Sequence, residues 1–160
     1  MSTCAVCDKH APSQCSGCQS IQYCGADHQH SHWPSHKAAC KAIRKMKETG
    51  KGFIKEIINK GDASRVPAAG DTVTCHYVGT LLSGKEFDSS RAKDSPFNFE
   101  LGKGRVIRAW DEGVATMCIG ERATLFCSPE FGYGARGAGG VIPPNAYLVF
   151  DVELLASKSK

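Results

Sequence analysis

The sequence predicts an α+β domain preceded by a small metal-stabilised module. Six of the nine cysteines lie within residues 1–40, in closely spaced pairs, where large apolar side chains are scarce. Beyond residue 52, β-branched and aromatic residues alternate between Gly- and Pro-rich turns, as in a domain built mainly of strands. Within it, VIRAWDEGVATM at 106–117 spaces Ile107, Trp110 and Val114 at intervals of three and four, the signature of a one-sided helix. Many strands with one short helix make an α+β arrangement.

The first forty residues offer only Val6, Ile21, Tyr23 and Trp33, with Met1 at the free end, as sizeable apolar side chains. A core that small cannot offset the entropy of ordering the backbone, so disulfides or metal must supply the difference. MSTCAVCDKH carries no apolar stretch behind a basic end, so neither a secretory signal nor an oxidising compartment is expected. The expected location is the cytoplasm, the nucleus or both, and reduced, paired cysteines then favour metal. The donors fall into four pairs, Cys4-x2-Cys7, Cys15-x2-Cys18, Cys24-x3-His28 and His36-x3-Cys40. Two intervening residues let a tight turn aim both sulfurs at one ion, and three suit a helical turn whose i and i+4 positions share a face. Eight donors make two tetrahedral zinc sites, both fully ligated and therefore structural.

Residues 37–60 carry Lys37, Lys41, Arg44, Lys45, Lys47, Lys51, Lys55 and Lys60 against only Glu48 and Glu56. The run reads as the solvated face of a helix and linker rather than a nucleic-acid interface. KAIRKMKE at 41–48 has good helix formers, and TGKG at 49–52 is a plausible stop. The chain thus divides into a zinc module at 1–40, a basic helix and linker at 41–52, and a larger domain at 53–160. The formal charge of +4 falls by two once six thiolates and two divalent cations are counted, so bulk charge says little about partners.

In the larger domain, strands are expected at 53–58, 72–78, 122–127 and 146–155. No segment approaches the roughly 18 apolar residues of a membrane span, so no membrane partner is expected. GYGARGAGGVIPPN lacks the Lys-Ser/Thr ending of a phosphate-binding loop and opens no helix. No Ser/His/Asp set or metal cluster is found after residue 53, and the one histidine there, His76, lies in a strand. Aromatics beside glycine turns stand out instead: Tyr77, Phe87, Phe97, Phe99, Trp110, Phe126, Phe131, Tyr133 and Phe150. Some of these belong to an ordinary small core.

Tyr23-Cys24 and the closing HWPSHKAAC, with Trp33, His36 and Cys40, give residues 4–40 a resemblance to MYND-type zinc fingers. The resemblance implies an interleaved cross-brace, with Cys4, Cys7, Cys24 and His28 on one ion and Cys15, Cys18, His36 and Cys40 on the other. It also implies a non-catalytic surface that binds a protein partner. The family usually has a cysteine where this chain has His28. His30 and His32 would replace His28 only if the loop shifted, since neither holds the family spacing; with His10 they are expected to be exposed.

HYVGTLLSGKEFDSS, PFNFELGKGRVIRAWDEGVATM, GYGARGAGGVIPPN and LVFDVELL follow in this order, and from about Phe53 to Leu155 the chain closely resembles FKBP-type peptidyl-prolyl cis-trans isomerases. The resemblance implies a half-open antiparallel sheet of five or six strands wrapped around the short helix, with an apolar pocket between them. It implies Trp110 as the pocket floor and Tyr77, Phe87, Phe97, Val106, Ile107 and Phe150 as its walls. Asp88 and Tyr133 would supply polar contacts at the rim, with Ile142 beside Tyr133 in the loop that closes over the substrate. Catalysis would need no cofactor, the partners would be proline-containing proteins or peptides, and the macrolides tacrolimus and rapamycin would bind the pocket. The other function class this suits is a chaperone or adaptor that grips proline-containing clients. One departure bears on the site: many members have an arginine where Lys93 stands, and a lysine cannot make the bidentate fork to Asp88. Arg91 is the nearby residue able to compensate.

Overall fold

The computed structural model describes residues 3–159. In chain order its elements are β1 (Ser13–Gln14), β2 (Gln22–Tyr23), α1 (Ala26–Thr49), β3 (Phe53–Asn59), β4 (Thr72–Leu81), β5 (Glu86–Ser89), β6 (Phe97–Glu100), α2 (Arg108–Val114), β7 (Arg122–Cys127) and β8 (Leu148–Lys158). A single turn of 3-10 helix, Pro129–Phe131, follows β7.

The alternation in TVTCHYVGTL makes β4 the axis of an antiparallel sheet. Val73, Cys75, Tyr77 and Gly79 are buried, with half-buried residues between them. On one edge β4 pairs with β8, and the order continues through β7 to β3. On its other edge β4 pairs with β6 near its start and β5 near its end. Those two strands have only four residues each, too few for periodicity to reveal. Helix α2 packs Ala109, Trp110 and Val114 into one core with the inward residues of β4, β7 and β8. It is shorter than the 106–117 segment because Ile107 caps it with extended backbone and the chain turns after Val114.

The amino-terminal half departs further from expectation. Helix α1 begins at Ala26 rather than near residue 41, and ends at Thr49, within the TGKG stop expected at 49–52. Pro34 and the His/Ser-rich stretch before it hide this helix from propensity reasoning. What organises it is the buried stripe His36, Ala39, Cys40, Ile43 and Met46, at helical spacing. It ends at Gly50, which takes a left-handed conformation (φ 75°) and donates its N–H to Met46 O at 2.9 Å. Lys47 folds back to donate to Cys18 O (2.5 Å), while Lys37, Lys41, Arg44, Lys45, Lys51 and Lys60 are exposed, as a solvated face requires. No helix among the described residues is long and apolar enough to cross a membrane.

The face of the sheet away from α2 is largely polar, with Thr74, His76, Thr124 and the Arg122–Asp151 pair on it, but one corner is apolar. Ala123, Leu125 and Cys127 of β7 face the α2 side, whereas Phe126 between them points the other way, into a second core made by the amino-terminal module. Ile54 and Val149 join that second core from the sheet, with Leu82 just after β4 and Tyr147 just before β8.

One ion pair lies inside the fold. Lys55 Nζ on β3 meets Glu121 Oε2 at 2.8 Å and also donates to Thr116 O at 2.9 Å; the two charged side chains are 16% and 4% exposed. Breaking such a pair strands a charge, which is far costlier than replacing both partners with apolar groups. Lys55→Ala is expected to lower the unfolding free energy by about 3 kcal/mol, read from urea denaturation, while Lys55→Met combined with Glu121→Leu should recover most of the loss.

Candidate functional site

A cavity of about 240 Å3 opens between the sheet and α2. Trp110, 4% exposed, reaches it from α2; Tyr77 comes from β4, Phe87 and Asp88 from β5, Phe97 from β6 and Phe150 from β8. Val106 and Ile107 line it from the turn before α2, and Tyr133 from beyond the 3-10 turn. Arg105 lines it as well, a residue absent from the sequence reading; its neighbourhood to Val106 was the only available signal. Ile142 does not line the cavity. It is 5% exposed within the core, in a loop closed by a bridge to Ala138.

The aromatic rings hold each other edge to face. Trp110 meets Tyr77 at 4.9 Å and 89° and Phe150 at 5.5 Å and 89°, while Phe97 and Phe99 approach it at 5.9 Å. Such geometry sets the positive edge of one ring against the negative face of the next. Gly79 is part of the same design, since a Cβ there would lie 2.7 Å from the Phe87 ring and 3.0 Å from that of Phe150. Asp111 on α2 accepts the N–H groups of Gly102 (2.8 Å) and Gly104 (2.9 Å), tying down the turn that presents Val106 and Ile107.

Both oxygens of Asp88 are engaged. Oδ2 accepts the Tyr77 hydroxyl, and Oδ1 accepts Lys93 Nζ and the Ser89 N–H, each at 2.9 Å. Burial pushes the Asp88 carboxyl up, but the Tyr77 hydroxyl and the Lys93 ammonium outweigh it and hold the group below the usual carboxylate range. Burial, and then the carboxylate itself, push the Tyr77 phenol well above its ordinary value. Arg91 does not compensate for the lysine; its guanidinium is committed to Glu153 at 2.6 Å. The Lys93–Asp88 pair has both partners largely exposed, so it orients Asp88 more than it stabilises the fold. Among the described residues that line the cavity there is no cysteine, serine or histidine, and its one hydroxyl–carboxylate pair is Tyr77 with Asp88; the arrangement is suited to binding and shaping a molecule.

The eight sulfur and nitrogen donors gather in two clusters, Cys4, Cys7, Cys24 and His28, and Cys15, Cys18, His36 and Cys40, each with its donor atoms within 4.8 Å of one another. In both, Sγ atoms stand 3.7 Å apart (Cys7 to Cys24, Cys15 to Cys40). Two sulfurs at about 2.3 Å from a tetrahedral zinc lie about 3.8 Å apart, so the donor sets fit that ion. His28 presents Nδ1, 3.1 Å from Cys24 Sγ; His36 presents Nε2, 3.3 Å from Cys18 Sγ. Burial and the neighbouring thiols push Cys18 up to about 12, and Cys24 similarly up to about 11. Burial raises Cys4 too, but the backbone N–H groups of Val6, Cys24 and Cys7 outweigh it and bring the thiol down to about 5. Thiols crowded in this way give up their protons when a dication binds them as thiolates.

His32 departs from expectation. It is half-buried, its Nδ1 hydrogen-bonded to the Tyr23 hydroxyl (2.7 Å) and its ring stacked on His36 at 5.9 Å and 12°. Positions 28, 32 and 36 lie on one face of α1, so the helix that the sequence reading began too late is what carries His32 inward. His10 and His30 are exposed.

Comparison with known proteins agrees with both halves. The family model for FKBP-type peptidyl-prolyl cis-trans isomerases matches residues 63–155, and that for the MYND finger matches residues 4–40. FK506-binding protein 1 of Dictyostelium discoideum is 60% identical over 102 residues, covering 64% of this chain and 94% of that protein. Peptidyl-prolyl cis-trans isomerase Fkbp12 of Drosophila melanogaster is 59% identical, over 61% of this chain and 91% of its own length. Peptidyl-prolyl cis-trans isomerase FKBP1A of Xenopus laevis is 58% identical, over 65% and 96%. With closed three-thiolate, one-imidazole clusters that fit two structural zinc ions ahead of its aromatic pocket, the chain belongs to the FKBP-type peptidyl-prolyl cis-trans isomerases and carries a MYND finger at its amino-terminal end.

Proposed function

We propose that the protein isomerises X-Pro bonds in protein substrates by binding a twisted amide in the pocket above Trp110, and that its finger recruits a protein partner. The observation that carries this reading is the pocket itself: aromatic walls, one carboxylate already held by two side chains, and no reactive set. Rotation about a peptide bond faces a barrier of ~18–20 kcal/mol because resonance keeps the amide planar. Twisting it by 90° removes that resonance and much of the charge separation, so a dry aromatic site favours the twisted form over either planar isomer. A preference of roughly 6 kcal/mol gives about four orders of magnitude in rate. Tyr77, Phe87, Phe97, Val106, Ile107 and Phe150 exclude water, Asp88 and Tyr133 orient the bound chain, and Ile142 supports the loop behind Tyr133. Tacrolimus and rapamycin occupy the same cavity in this reading, and a proline-containing segment is the natural occupant.

Turnover of a proline tetrapeptide is expected and should be abolished by tacrolimus; a folded protein without turnover would leave only the binding role of an adaptor. Trp110→Leu should lower kcat/KM by roughly 10- to 100-fold, equivalent to about 1.4–2.7 kcal/mol. Because the folded Asp88 carboxyl lies below its ordinary value of about 3.9, its charge and the stability linked to it are present above that value and are lost as pH falls through the lower folded one. Turnover should therefore show no Asp88 inflection between about pH 5 and 8.

For the finger, we assign Cys4, Cys7, Cys24 and His28 to one zinc and Cys15, Cys18, His36 and Cys40 to the other. Metal analysis should give two zinc ions per chain, one after His28→Ala, and two after His30→Ala. An unchanged count in His28→Ala would move the ligand to another histidine.

A further inference from the structure

We infer that the finger and the isomerase sheet are coupled through Phe126, so that zinc loading of the finger holds the strands that frame the proline pocket. Along β7 the side chains alternate: Ala123, Leu125 and Cys127 fill the isomerase core, and Phe126 projects from the opposite face. A large aromatic on that face would stand in water, yet Phe126 is 4% exposed, because its neighbours belong to the finger's core. That core is made of Ile21, Tyr23, Ala39, Ile43 and Met46, and its residues are interleaved with the metal donors, Tyr23 beside Cys24 and Ala39 beside Cys40. A cavity of about 350 Å3 at the junction is lined by His32, Ser35 and Ala39 of α1, by Thr124 and Phe126 of the sheet, and by Leu82 in the turn after β4.

The covered residues are one step from the pocket. Val149 immediately precedes Phe150, which lines the cavity, and Leu82 sits in the turn joining Tyr77's strand to the strand of Phe87 and Asp88. Without metal the finger has too little apolar volume to stay folded, and its collapse uncovers this face. Linkage makes the effect reciprocal: if zinc in the finger stabilises the sheet, a sheet residue must strengthen zinc binding. Phe126 is neither a donor nor a pocket residue, so a purely local role in the isomerase core would leave zinc affinity untouched.

The test is zinc affinity of the full chain, measured by competition with a chromophoric chelator, in the wild type and in Phe126→Ala. A loss of about tenfold in the variant is expected, with a smaller loss in the same direction for Val149→Ala, which guards against a failure of the first variant to fold. Hydrogen exchange of the metal-stripped wild type should show faster exchange at 124–127 and 148–152 than the zinc-loaded protein. Equal zinc affinities in wild type and variants, or exchange in these strands indifferent to metal, would overturn the coupling. The inference rests on the zinc assignment, and the two fail differently: a wild type that takes up no zinc defeats both, whereas zinc bound equally by wild type and variants defeats the coupling alone.

Discussion

A β-strand turns successive side chains to opposite faces, and in this protein one whole face of the sheet and an apolar corner of the other must be kept from water. Leu125 and Phe126 are neighbours in sequence and lie in different cores. On one side α2 covers the sheet and leaves a gap large enough for a ligand; on the other the finger covers it. The ordering of each layer depends on the strands between them, since β7 and β8 contribute to both cores at once. The protein is a three-layer object whose middle layer has no solvent face where the finger sits.

The two outer layers solve the burial problem by different chemistry. The isomerase side has enough aromatic and aliphatic volume to close on itself, and its pocket is what remains where Trp110, Tyr77 and Phe150 meet edge to face instead of filling the space. No acid, base or nucleophile is required, because rotation about an amide makes and breaks no bond. Asp88 is tied to Tyr77 and Lys93, an arrangement that suits the orienting role proposed for it.

The finger has little volume of its own and substitutes metal ligation for core. Its donors come from two tight turns, the residue after β2 and one long helix, so metal would join every segment of the module. Replacing a thiolate with His28 makes the two clusters chemically alike, three sulfurs and one imidazole each. His32, between the two ligand histidines on α1, lies within the module as a brace between Tyr23 and His36. Lys47, itself exposed, reaches from the solvated face to hold the Cys18 carbonyl.

Much of this was legible in the chain itself. Cysteine spacing singled out the donor pairs, and alternation identified β3, β4, β7 and β8, because ligand geometry and strand periodicity are local properties. The edge strands β5 and β6 were not legible by periodicity, since four residues are too few to establish an alternation, and α1 was started too late because Pro34 and its histidines suppress local propensity while burial against the sheet overrides it. Partner choice among charges was equally closed to sequence: Arg91 and Lys93 are both near Asp88 along the chain, yet only Lys93 reaches it, because Glu153 on a distant strand claims the arginine. Sequence determined which residues carry metal-ligand chemistry and where the longer strands β3, β4, β7 and β8 lie; the tertiary structure decided that Phe126 belongs to the finger rather than the pocket side, because the face a side chain covers depends on what docks there, and docking is a property of surfaces far apart in sequence.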